Sequence, residues 1–149
     1  MATEKQKLGK RGELLVKKTA NCPKCKKAKT FRLLPINFKC ADIICDFCGY
    51  LAQVKTKTVS NIEQLPKNIL GGAWGVQKSR MDSGIYFPLY LVLEDTKKNH
   101  AVYYLPADFQ DEGLFIARKP LSEKAKRAGW QGFYYDFSSL TEGKLVRLR

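Results

Sequence analysis

Residues 40–57 read Cys-Ala-Asp-Ile-Ile-Cys-Asp-Phe-Cys-Gly-Tyr-Leu-Ala-Gln-Val-Lys-Thr-Lys. Two runs, 40–45 and 50–57, flank a Cys45-x2-Cys48 pair that closes on Gly49. Such a pair acts as a turn, so the runs fold back on each other as a β-hairpin. In the second run Gln53 and Lys55 are two residues apart and share one face of the pleat. Ala52, Val54 and Thr56 take the other face and suit a core or helix contact. Asp42 sits on the first run just before the turn, and the hairpin register sets it beside Gln53.

A second pair, Cys22-x2-Cys25, precedes Cys45-x2-Cys48 with nineteen residues between the two pairs. Each pair forms a knuckle that aims two thiolates at one point, and two knuckles complete a closed tetrahedral site for Zn²⁺. A closed site leaves no position for substrate, so this zinc is structural, one per chain. Pro23 and Gly49 occupy turn positions suited to the knuckles. The alternative is four unrelated buried cysteines. The fifth cysteine, Cys40, has no knuckle partner and is read as a small core or strand residue, although it could replace Cys45 as a ligand.

The chain has 149 residues, the size of one ordinary domain, with 44% hydrophobic and 28% charged residues. Its longest apolar stretch, 85–93, contains Pro88 and is too short to span a bilayer. The basic N-terminus lacks the apolar core of a secretory signal, so a cytoplasmic protein is expected. The formal net charge is +13. Residues 1–30 hold ten basic side chains and two acidic ones, Glu4 and Glu13. Such a field attracts polyanions and releases counterions from phosphates, which favours nucleic acid over a merely solvated basic face. No Gly-rich loop followed by Lys-Ser/Thr is present, so no nucleotide cofactor is expected.

Element by element, residues 3–20 read as a helix with Leu8, Leu15, Leu14 and Val16 on its apolar side, weakened by Gly9 and Gly12. Residues 62–70 read as a loop or broken helix. Residues 73–81 read as a short helix after a break at Gly71-Gly72, and 85–94 as a central buried strand. Residues 100–105, 133–137 and 145–148 read as strands, and 122–128 as a short helix capped by Ser122. No repeat or linker interrupts this pattern, so one mixed α/β domain over 1–149 is expected. Trp74 and Trp130 read as core more readily than as base-stacking residues, and His100 as a strand-end residue rather than a general base. Lys78 and Arg80 are candidate phosphate contacts. Lys119, Lys124, Lys126 and Arg127 form a second basic cluster.

Metal-assisted phosphodiester hydrolysis needs a carboxylate, a second oxygen ligand and a nearby cation. Asp42, Gln53 and Lys55 supply these on two paired strands, with the zinc turn fixing their register. Asp42-x10-Gln53-Val54-Lys55 resembles the motif of the PD-(D/E)XK nuclease superfamily. Together with the split cysteine knuckle, the Gly-Gly-Ala-Trp segment at 71–74, Val-Tyr-Tyr-Leu-Pro at 102–106 and Ala-Gly-Trp-Gln-Gly at 128–132, it is similar to the catalytic domain of DpnI-type restriction endonucleases. The resemblance implies a restriction-endonuclease-like mixed sheet flanked by helices, with an inserted four-cysteine zinc hairpin. It also implies Mg²⁺-dependent cutting of double-stranded DNA. Asp42 would be the principal Mg²⁺ ligand, Gln53 would bind through its amide oxygen and Val54 through its carbonyl. Lys55 would act on the attacking water and the phosphate, and Glu13 would match the helix-borne carboxylate of many such nucleases. Gln53 stands where that family most often has an acid, which lowers the charge of the metal site and leaves a decayed, non-catalytic zinc-ribbon binding protein as the alternative. The winged-helix module that reads methyladenine is not expected in this chain, so methyl dependence does not carry over. Two-strand cutting by one small site calls for a homodimer or two visits.

Overall fold

The computed structural model describes residues 2–38, 41–140 and 143–149. Cys40 lies outside the described residues. Helix α1 (Glu4–Thr19) is followed by strands β1 (Phe31–Leu33), β2 (Ile43–Cys45), β3 (Leu51–Thr58) and β4 (Asn68–Ala73). Helix α2 (Trp74–Asp82) precedes β5 (Leu89–Glu94), β6 (His100–Leu105), β7 (Phe115–Ala117), β8 (Gly132–Asp136) and β9 (Val146–Arg147). The mixed α/β class expected from the sequence is the one observed. The chain divides into two compact units. The first comprises Met1–Gln64, Phe87–Ala107 and Leu145–Arg149, and the second comprises Leu65–Tyr86 and Asp108–Lys144.

In the first unit a six-stranded mixed sheet has the order β1-β2-β3-β5-β6-β9. Only β3 and β5 run parallel, with Gln53 opposite Leu89 and Lys55 opposite Leu91. All six residues of β5 are buried, as the unbroken apolar run of a central strand requires. The period-2 reading of β3 holds. Ala52 and Val54 are buried, while Gln53, Lys55 and Lys57 are half-buried. Ala52 and Val54 join Val16, Phe31, Ile43, Tyr90, Val92 and Val102 in one core cluster.

Helix α1 starts where a capping box stops fraying: Gln6 N–H donates to Thr3 Oγ1 and Thr3 N–H donates to Gln6 Oε1. Gly12, which weakened the helix in the sequence reading, is where the helix meets the sheet. A Cβ there would stand 1.8 Å from Thr56 Oγ1, so only glycine permits this approach. The strand β1 went unread because three residues are too few to establish a period. It pairs antiparallel with β2, placing Arg32 opposite Ile44.

The second unit is built on a three-stranded antiparallel sheet, β4-β8-β7. Gly71-Gly72, read as a break before a helix, instead lies inside β4. There the register with β8 shifts between Leu70 and Ala73, and a Cβ on Gly71 would collide with the Phe133 ring. Phe115, Phe133 and Tyr135 pack ring against ring with centroids 5.3–5.7 Å apart, so the 133–137 run is a packed strand. Trp74 tilts onto Phe133. The expected helix over 122–128 is a series of turns, because its residues offer no apolar stripe to bury and seven residues cannot hold a helix on propensity alone.

Candidate active site and metal centre

Both candidate centres belong to the first unit and occupy the two ends of the β2–β3 hairpin. At the turn end the two knuckles have the same backbone construction. Lys26 N–H donates to Cys22 O and Gly49 N–H donates to Cys45 O, both at 2.9 Å. Cys22 N–H donates to Lys27 O, and Cys45 N–H to Tyr50 O, at 3.0 and 2.8 Å. Cys22, Cys25, Cys45 and Cys48 place their sulfurs within 4.8 Å of one another. The separations are 3.5 Å for Cys22–Cys48 and 3.7 Å for Cys25–Cys45. A tetrahedron with Zn–S bonds of about 2.3 Å has edges of about 3.8 Å, so the four thiols fit such an ion.

The sulfurs sit in two environments. Burial, against backbone N–H groups of Cys25 and Lys24, pushes the Cys22 thiol up to about 12. Burial also acts on Cys45, but the Thr30 hydroxyl 3.2 Å away and the N–H groups of Cys48 and Phe47 outweigh it and bring that thiol to about 6. Donors around Cys45 thus favour a thiolate, the form a metal takes up.

The other end of the hairpin carries Asp42, one residue before β2. Its backbone is held on both sides: Leu34 N–H donates to Asp42 O at 2.9 Å and Asp42 N–H to Ala52 O at 3.0 Å. Its side chain reaches across to β3, where Val54 N–H donates to Asp42 Oδ2 at 2.7 Å. The acid is therefore fixed against the Gln53-Val54-Lys55 strand. Glu13 projects from α1 into the same neighbourhood. Burial and the negative charge of Asp42 raise its pKa, while Lys10 and Lys55 pull it down. Glu13, Asp42 and Lys55 are thus within electrostatic reach of one another. Carboxylate oxygens such as those of Asp42 and Glu13 are hard donors of the kind Mg²⁺ prefers.

A family model of DpnI, the Dam-replacing family, matches residues 2–148. The chain belongs to the DpnI family. No curated protein matches it. For a DpnI-family chain the class of activity is that of a restriction-type nuclease. Among the described residues no helix is long and apolar enough to cross a membrane.

What positions Glu13 in this DpnI-family fold was not visible in the sequence. Arg11, two residues earlier on α1, forms a two-pronged pair with Glu94 at the end of β5, at 3.0 and 2.7 Å. The Glu94 side chain is 2% exposed, and it also meets His100 Nε2 at 3.0 Å and Lys98 Nζ at 3.5 Å. These partners, Arg11 foremost, hold its carboxyl down at about 2 against the opposing effect of burial. His100 is accordingly a strand-end residue tied to Glu94. Three successive residues of α1 therefore have separate tasks: Arg11 clamps the sheet, Gly12 touches β3 and Glu13 faces Asp42. In the second unit Lys78 is paired with Asp82 at 3.1 Å, and Arg127 lies over the Trp130 ring.

Proposed function

We propose that the chain is a Mg²⁺-dependent endonuclease that hydrolyses phosphodiester bonds in double-stranded DNA, acting in a cytoplasmic restriction or defence setting without a nucleotide cofactor. The observation that carries this reading is the 2.7 Å bond from Val54 N–H to Asp42 Oδ2, which ties the acid to the strand bearing Gln53 and Lys55. When bound, Mg²⁺ supplies charge neutralisation at the phosphate and polarisation of water.

In this proposal Asp42 holds the cation through the oxygen not bonded to Val54, and the Gln53 amide oxygen and Val54 carbonyl complete the protein's share of ligands. Glu13 adds a second carboxylate, offsetting the negative charge that Gln53 does not provide. Lys55 orients the attacking water and stabilises negative charge gathering on the scissile phosphate. Zn²⁺ on Cys22, Cys25, Cys45 and Cys48 holds the register without taking part in the chemistry. The whole chain works as one PD-(D/E)XK-type module, and cutting of both strands is performed by a homodimer or in two visits.

The test is plasmid cutting with Mg²⁺, Mn²⁺ or EDTA, on methylated and unmethylated DNA. Cutting is expected with either cation, lost in EDTA, and reduced at least about 100-fold by Lys55→Ala with DNA binding kept. Undiminished cutting by that variant would remove Lys55 from the site. Binding without cutting under any condition would instead favour the non-catalytic zinc-ribbon reading, for which the neutral Gln53 is the motivating residue.

A further inference from the structure

The first knuckle departs from the second in one telling way. Both place the residue after their last cysteine at positive φ, with Gly49 at 80° and Lys26 at 67°. Glycine adopts this conformation freely, whereas a side chain with Cβ is disfavoured there. Lys29, three residues on, has φ 60° and repeats the exception. Two lysines therefore occupy positions that backbone conformation alone would give to glycine or asparagine.

Their charge is uncompensated. Lys24, Lys26, Lys27 and Lys29 are all exposed, and residues 21–30 contain no acid. Among the described residues none of the four has a carboxylate within ion-pair distance. Asp46, the acid of the second knuckle, is taken by Arg32 at 3.0 Å. Beside Asp46, Phe47 stands 65% exposed at the knuckle tip, with Lys27 Nζ 4.4 Å from its ring centroid. Three knuckle lysines without an ion-pair partner, Lys24, Lys26 and Lys29, and an exposed ring already bearing one cation match the chemistry of a nucleic-acid duplex: phosphates for the ammonium groups, a groove floor for the ring.

We propose that the zinc knuckles, through Lys24, Lys26, Lys29 and Phe47, form a DNA-holding surface separate from the cutting residues. The lysines contact backbone phosphates and Phe47 enters the minor groove. The identity of the polyanion rests on the nuclease reading above. The knuckle then has two tasks: it closes the hairpin, and it grips the duplex that the other end of the hairpin cuts.

The test uses the zinc-loaded full chain and a labelled duplex, with binding followed by fluorescence anisotropy in Ca²⁺ across a salt series. Lys24, Lys26 and Lys29 changed together to Gln should flatten the slope of log K against log salt by about 2 to 3, since each phosphate contact contributes about 0.9. The same exchange at Lys119, Lys124 and Lys126 matches the charge removed and should leave the slope nearly unchanged. Phe47→Ala should weaken binding about 5- to 100-fold at constant slope. Zinc content and melting temperature establish that each variant is folded. Equal slope losses in the two triple variants, or an unchanged slope in the knuckle variant, would overturn the proposal. Tighter binding to single-stranded DNA or RNA than to duplex would also overturn it. These outcomes are independent of cutting: a protein that never cuts but shows the slope change keeps the holding surface and loses the nuclease.

Discussion

The two ends of the β2–β3 hairpin are held by opposite means. At the turn end, four sulfurs and four matched backbone hydrogen bonds close on one another. At the open end, Asp42 and Glu13 are two like charges that repel, with Lys10 and Lys55 to moderate them. The first end is self-sufficient once a metal occupies it. The second stays together only because other parts enforce it: the β3 backbone on Asp42, and Arg11, Gly12 and their partners on α1. A pair of repelling carboxylates can persist where the surrounding structure over-determines it, and here two parts do so: the cysteine clamp that closes the hairpin and the helix lock formed by Arg11 and Glu94.

Breaking the clamp should have the largest effect. Structural zinc contributes apparent binding free energies of about 10–16 kcal/mol in small zinc modules. Cys22→Ser is therefore expected to lose the metal and the cooperative thermal transition, where the parent protein carries one zinc per chain. A Cys22→Ser protein that melts cooperatively at the parent temperature without zinc would show that the staple is dispensable.

The helix lock is a smaller quantity and is tested by acid. The folded Glu94 carboxyl lies at about 2, below its unfolded value, so its contribution is complete above about pH 5. That contribution drains away as pH falls through the unfolded value towards 2. Allowing for Arg11 being partly exposed, the loss is on the order of 2–3 kcal/mol. Urea melts at pH 7 and pH 3 should show it, and Glu94→Gln should lack that portion of the acid slope. An identical slope in the variant would mean that Arg11, Lys98 and His100 do not act through Glu94.

The smallest effect sharpens the contrast between the knuckles themselves. Lys26→Gly relieves a strained backbone and should raise stability by about 0.5–1 kcal/mol, whereas Gly49→Ala should lower it by about 1 kcal/mol or more. Shifts of the same sign in the two variants would show that the knuckles are not equivalent in conformation.

How much of this was legible in the sequence follows from the range of each signal. The cysteine spacing, the alternation along 52–56 and the strand at 100–105 are local patterns, and each reappears in the structure. The register of Asp42 against the second strand was legible because the turn between them is short. Glu94 was not: it ends an apolar run like any strand-terminal acid, and its main partner lies 83 residues away. Gly12 and Gly71 read as weaknesses because glycine lowers local propensity, whereas their use is close approach to Thr56 and to Phe133. Residues 122–128 misled in the opposite sense, offering a cap and good helix formers with no face to bury. The roles of Asp42, Gln53 and Lys55 came from the family motif, since three polar residues on a strand do not by themselves announce chemistry.

On the proposed function, the open end of the hairpin holds a divalent cation for phosphodiester hydrolysis. The most direct measurement is an anomalous-scattering map of crystals soaked in Mn²⁺. A peak bonded to the Asp42 carboxylate, the Gln53 amide oxygen and the Val54 carbonyl is expected, absent in Asp42→Asn crystals treated alike. A map with no Mn²⁺ at these oxygens, or with the same peak in Asp42→Asn, would contradict that function.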